Sequence, residues 1–241
     1  MKEKYLNIKI KLKRNKEFTL IEYKYKKRSH DERPMALDVL LQAQEEVYDD
    51  LAFRYGCRAR NCGVCTIDVN NRPKLACRAR VREGDILSAM ATLPVIKDLV
   101  VKRDAITRQM QGYNNISHKN DLNEDANKSY HNLTACIECY ACLDGCPVHA
   151  KNNIVDIQNN VAYKYGNPYS FLKIQRLLID PLTPESEKDR LIDKAKSLGL
   201  DIYRREYRNL KIKCGVGINL KGEVIKPLLD AAYGDEVEKE N

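Results

Sequence analysis

Nowhere in its 241 residues does this chain carry ~18 consecutive uncharged apolar residues. No segment is therefore expected to span a bilayer, and any membrane association would be peripheral. The opening MKEKYLNIKIKLKR has no uninterrupted apolar core, so no secretory signal is read and a cytoplasmic location is expected. Tryptophan is missing and phenylalanine occurs three times, a bias of composition that says nothing about chemistry. Without a route to an oxidising compartment, grouped cysteines read as metal ligands rather than disulfides.

What is present is charge and cysteine. The net charge is +8, and the first 33 residues hold twelve Lys/Arg against five Asp/Glu. No recognised nucleic-acid motif accompanies this excess. Lys9, Lys11 and Lys13 instead alternate with Ile8, Ile10 and Leu12, as on the exposed face of a strand. No nucleic-acid partner is expected; a basic face of this kind can dock an acidic protein.

Residues 5–13 and 18–25 alternate with period two, and the short polar link around Asn15 and Lys16 predicts a hairpin. Residues 35–50 switch to helical spacing, with Leu37, Leu40, Leu41 and Val47 on one stripe. A strand at Thr66–Val69 and a turn at Asn70-Asn71 follow, which makes an α+β unit. Residues 107–130 are polar and aperiodic, a connection or surface loop. Beyond them helices are expected at 169–180, from an N-cap at Thr183 to a stop at Gly199, and at 220–232, with an acidic tail at 235–241.

Eight of the nine cysteines form two runs. Cys57, Cys62, Cys65 and Cys77 follow C-x4-C-x2-C-x11-C, the plant-type [2Fe–2S] spacing. Gly56 and Gly63 suit a loop whose backbone must come close to the sulfides. A zinc site is the competing reading, but zinc favours paired C-x2-C arms. Arg54, Arg58 and Arg60 flank the loop, either as solvated side chains or as charges that raise the potential of the site.

Cys136, Cys139, Cys142 and Cys146, followed by Pro147, make C-x2-C-x2-C-x3-C-P, the bacterial [4Fe–4S] run, whose fourth cysteine serves another cluster. Cys136, Cys139 and Cys142 then need a remote thiolate, and Cys214 is the one left over. Two closures stay open: Cys214 as the fourth ligand, or Cys146 itself with Cys214 an ordinary thiol.

The two runs in this order resemble the iron–sulfur subunit of succinate dehydrogenase and fumarate reductase. The likeness extends through Leu37-Asp38-Val39-Leu40, Ala52-Phe53-Arg54-Tyr55-Gly56-Cys57-Arg58, Asn61-Cys62-Gly63-Val64-Cys65, Leu75-Ala76-Cys77 and Leu93-Pro94-Val95-Ile96-Lys97-Asp98-Leu99. The resemblance implies a β-grasp, plant-type ferredoxin-like domain at residues 1–103 and an all-α helical ferredoxin domain at 104–234. It implies a flavoprotein partner that carries FAD and the catalytic residues, with none on this chain. Electrons would pass between flavin, the [2Fe–2S] cluster and the [4Fe–4S] cluster.

The departure lies at the end. The family closes with three more cysteines; here Cys214 aligns with the last, Gly215 stands in place of a proline, and Arg204 and Leu210 stand where the other two would be. The resemblance therefore implies no [3Fe–4S] cluster and gives Cys214 to the second cluster. A soluble electron-transfer protein or a thiol/disulfide module is then expected in place of a quinone. Two other readings compete. One is a free-standing two-cluster carrier serving another redox enzyme or a maturation complex. The other is a zinc-stabilised nucleic-acid-binding protein.

Overall fold

In the computed structural model, residues 4–113, 127–154 and 163–234 are described. The acidic tail and most of the polar connection fall outside them. The chain divides into two compact units. The first is Met1–Lys102 with Ile137–Ala141, and the second is Arg103–Cys136 with Cys142–Asn241.

The first unit begins with strands β1 (Tyr5–Arg14) and β2 (Glu17–Lys26), an antiparallel hairpin. Asn15 and Lys16 turn it, both left-handed with φ of 49° and 69°, the conformation that a two-residue hairpin loop demands. Ile8, Ile10 and Leu12 point inward and are essentially buried, so the alternating lysines take the outer face. Strand β3 (Thr66–Val69) pairs with β4 (Pro73–Leu75) through a second left-handed turn, with φ of 54° at Asn70 and 59° at Asn71. Strand β5 (Ile86–Ser88) lies parallel to β1 and antiparallel to β3, which gives the order β2-β1-β5-β3-β4. A two-stranded ribbon, β6 (Val95–Lys97) and β7 (Val100–Val101), follows.

Helix α1 (Ala36–Glu46) packs Ala36, Leu37, Val39, Leu40 and Ala43 into the same core as the inner sheet residues. The Asp38 carboxylate accepts the Met35 N–H at its start at 2.9 Å. The expected stripe is corrected at its end: Val47 is 59% exposed. The helix stops at Glu46 and Val47 leaves helical geometry with φ −136°, so Ala43 closes the stripe instead.

Every strand among the described residues lies before residue 102, and the described residues of the second unit hold helices and turns. Short helices α2 (Asp104–Arg108) and α3 (Lys128–Thr134) precede α4 (Pro168–Leu178), α5 (Glu185–Ser197) and α6 (Leu200–Glu206). Helix α5 starts one residue later than Thr183 suggested. Pro184, extended at ψ 144°, occupies the cap position, and the buried Thr183 hydroxyl has no hydrogen-bond partner among the described residues. Gly199 does end α5, left-handed at φ 89°, as a helix stop often is. The expected last helix is present and continuous, but widened near its start. A wide π-turn at Lys221–Ile225 runs into α7 (Lys226–Tyr233). Pro227 accounts for the widening: it offers no N–H and its ring crowds the carbonyl four residues back.

Phe171, Ile174, Leu191, Leu200, Tyr203, Val224 and Leu228 form the core of this unit. Asn167 ties it together. Its carboxamide oxygen caps α4 by accepting from Tyr169 and Ser170 N–H, both at 3.1 Å, and its Nδ2 donates to Gln109 at 3.0 Å. Asn167→Ala is expected to cost about 2 kcal/mol in urea unfolding, from the lost cap and the lost donor to Gln109 Oε1, which keeps Ser170 Oγ at 2.8 Å. A cost near zero would show that the cap is dispensable.

Candidate metal centre

The first cysteine run sits on the loop between α1 and β3 and on the turn after β4. Ala52 anchors the loop at its entry. Its N–H donates to Asp98 Oδ2 at 2.9 Å and its carbonyl accepts Leu99 N–H at 3.1 Å. Asp98 is fully buried, accepts from Arg14 Nε at 2.9 Å and donates its N–H to the Lys13 carbonyl at 2.8 Å. Arg14 also reaches Asp50 at 2.8 Å. The end of β1, the β6–β7 turn and the loop entry are thereby one hydrogen-bonded unit.

Past that anchor the loop is exposed. Cys57 accepts N–H groups from Ala59 at 3.3 Å and Asn61 at 3.2 Å. These bonds, and a third with the Cys62 thiol, push the Cys57 thiol down to about 7. Arg58 and Arg60 are both left-handed, at φ 55° and 66°, and alternating hands of backbone turn successive N–H groups into one concavity that favours an anion. Their side chains are exposed, and Arg58 lies 5.3 Å from the centre of the Tyr55 ring. Of the two roles foreseen for these arginines, this geometry favours solvated side chains on a specialised backbone. A solvent-facing charge acts through water, whose high dielectric weakens it even at short range, so Arg58→Ala and Arg60→Ala are expected to leave the midpoint potential of the site nearly unchanged by potentiometry.

Cys65 and Cys77 are buried. The Cys77 backbone and thiol both hydrogen-bond the Cys65 sulfur, and burial pushes the Cys65 thiol up to about 11. The Cys62 sulfur lies close enough to Cys65 to act on it electrostatically. The four thiols thus converge as two pairs, Cys57 with Cys62 and Cys65 with Cys77. A flat two-iron cluster takes two thiolates per iron, whereas a structural zinc takes four ligands at one centre. This donor set fits the former.

The second run divides. Cys139 is buried in the core of the first unit, within its segment Ile137–Ala141. Cys136, Cys142 and Cys214 are half-buried against the helical core of the second. Cys146 lies inside that core, 3% exposed. Its sulfur is 3.0 Å from the Tyr203 hydroxyl and accepts His149 N–H at 3.2 Å; burial pushes its thiol up. The Cys214 sulfur accepts Val216 N–H at 3.4 Å. The Cys142–Cys146 turn approaches this segment, since a Cβ on Gly145 would lie 3.4 Å from the Lys211 carbonyl. Arg204 lies over the Tyr233 ring at 5.3 Å. The Cys146–Tyr203 pair and the Asp98 anchor escaped the sequence reading: neither tyrosine nor aspartate there belongs to a spaced motif.

The family description "2Fe-2S iron-sulfur cluster binding domain" matches residues 7–108. One of the subunits of the fumarate reductase (CoM/CoB) of Methanothermobacter marburgensis is 32% identical over 155 residues, covering 62% of this chain and 29% of that protein. The fumarate reductase iron-sulfur subunit of Escherichia coli O6:H1 is 30% identical over 135 residues, covering 51% of this chain and 55% of that one. The chain therefore spans less than two thirds of the length of these curated relatives. In fold it is similar to a chain of the Mycobacterium smegmatis Sdh1 complex in the apo form, with TM-score 0.75, 20% identity and 95% of each chain covered. Among the described residues no helix is long and apolar enough to cross a membrane. The ferredoxin-like sheet and its cysteine loop are thus matched by a [2Fe–2S] domain description, and the chain is similar in sequence to subunits of fumarate reductases.

Proposed function

We propose that this chain is the electron-transfer subunit of a complex of the succinate dehydrogenase/fumarate reductase type. It relays electrons between a flavoprotein and a non-quinone partner through a [2Fe–2S] and a [4Fe–4S] cluster. The observation that carries this reading is the convergence of Cys57, Cys62, Cys65 and Cys77 as two thiol pairs at an exposed loop. An iron held there lies near the surface, where a partner's redox group can approach it.

Cys57, Cys62, Cys65 and Cys77 would hold the first cluster, and Cys136, Cys139, Cys142 and Cys214 the second. When bound, the clusters supply one-electron carriers; the chain supplies thiolates, N–H donors and a dry core behind Cys65 and Cys77. The non-quinone end of the reading rests on Arg204 and Leu210, which carry no thiol where the resemblance puts two cluster ligands. Cys146, the remaining ligand of that cluster in the family, is engaged by Tyr203.

Reconstituted protein is expected to contain about six iron atoms per chain, with matching sulfide. Expressed with its native partners it should co-purify with a flavoprotein that oxidises a reduced dye when fumarate is added. Two clusters without any flavoprotein would favour the free-standing carrier. A colourless, zinc-loaded chain would refute both, and nine or more iron atoms would refute the two-cluster count.

A further inference from the structure

Gly63 lies in the first cysteine loop between Cys62 and Cys65, left-handed at φ +66°. Its tightest neighbours do not belong to that loop. A Cβ built on it would fall 2.1 Å from the Ile137 carbonyl oxygen, 2.9 Å from the Cys139 nitrogen and 3.0 Å from the Cys139 Cα. No side chain fits there, because every atom in the way is backbone. By contrast, a Cβ on Gly56 would meet the Cys62 sulfur at 3.4 Å, an ordinary contact. The two glycines of the loop therefore differ in purpose.

Three further observations bear on the same contact. The Thr66 hydroxyl donates to the Gly63 carbonyl at 3.0 Å in a buried site, so the Gly63 peptide is held in one orientation. Glu138 and Tyr140, on either side of Cys139, are left-handed at φ 54° and 59°. Non-glycine residues pay for that conformation, and it persists where surroundings impose it. Cys139, Tyr140 and Ala141 are buried in the first unit's core, while the flanking Cys136 and Cys142 pack on the second unit's. The middle of the second run is thus pressed backbone-to-backbone against the loop of the first.

We propose that Gly63 is a positioning residue for electron transfer between the two cysteine runs: its missing Cβ admits the Ile137–Cys139 backbone and sets how closely Cys139 approaches the first loop. This rests on the two-cluster reading above. Transfer moves one electron from one reduced cluster to the other oxidised one, with no bond made or broken, so its rate depends on approach. A Cβ at position 63 drives the Cys139 backbone away and leaves all eight ligating thiols in the sequence.

The test is Gly63→Ala in the reconstituted full chain, reduced with dithionite, with the power saturation of the [2Fe–2S] EPR signal as readout. Relaxation of that signal is hastened by a nearby paramagnetic [4Fe–4S] cluster, so the half-saturation power reports their approach. It is expected to fall several-fold in Gly63→Ala at unchanged iron content. Gly84→Ala is the control for backbone strain: Gly84 is also left-handed, at φ +79°, but nothing lies within 4 Å of its Cβ position, and it should saturate like the parent. Equal saturation in Gly63→Ala and the parent, or an equal change in Gly84→Ala, would overturn the proposal. Should Gly63→Ala not fold, Thr66→Val, which frees the Gly63 carbonyl without adding an atom at Cα, is read by the same criterion. A parent chain lacking two clusters by iron and sulfide analysis would instead defeat the functional reading itself.

Discussion

Cys214→Ala is expected to remove the [4Fe–4S] EPR signal of the reduced chain and to drop its iron from about six atoms to about two. Cys146→Ser is expected to keep both. The argument is geometric. A ligating sulfur must offer its lone pairs to iron, at a place where several thiols can meet. Cys214 is half-buried on the same core as Cys136 and Cys142, beside the turn that carries Gly145. Cys146 is enclosed and engaged by the Tyr203 hydroxyl and the His149 N–H. Serine at 146 keeps an oxygen for Tyr203 and adds no volume, so its effect on the fold should be small. Loss of the signal with Cys146→Ser alone would reverse the assignment and make Cys214 the ordinary thiol.

Asp98→Ala is expected to destabilise the first unit by about 3 kcal/mol and to empty the first cluster site at temperatures where the parent holds it. Removing one partner of a buried ion pair costs about 3–5 kcal/mol, because the other charge and its donors are stranded. The lower end applies here because the Arg14 side chain is 36% exposed and keeps Asp50 as a partner. Two further losses come with it. Ala52 N–H loses the acceptor it has at 2.9 Å in Asp98 Oδ2. Position 98 is also left-handed at φ 47°, which aspartate tolerates better than alanine. Asp98→Asn keeps that tolerance and one acceptor oxygen, so it should cost less than Asp98→Ala. Urea unfolding followed by circular dichroism measures both. Against a typical total of about 5–15 kcal/mol, a loss under about 1 kcal/mol for Asp98→Ala would show that the anchor does not hold the loop.

Much of the local structure was legible because local rules govern it. The alternation of Ile8, Ile10 and Leu12 with lysines defines the inner face of β1, and asparagines at 15, 70 and 71 mark turns that need positive φ. Helix ends were less legible. The Val47 and Thr183 readings each missed by a residue or a few, since periodicity locates a helix face better than its last turn. Pro227 could have signalled the wide turn at Lys221–Ile225, because its missing N–H is a property of the sequence alone.

By itself the sequence determined the two cysteine runs, their spacings and the absence of thiols at 204 and 210, all of them properties of residue identity. Only the tertiary structure decided what distant residues do for one another. It pairs Cys57 with Cys62 and Cys65 with Cys77. It encloses Cys146 behind Tyr203, ties Ala52 to Asp98, and carries Ile137–Ala141 into the first unit against Gly63. Most of these contacts join segments tens of residues apart, and spacing rules cannot reach them. Packing density and the need to satisfy every buried polar group select them after the chain has collapsed.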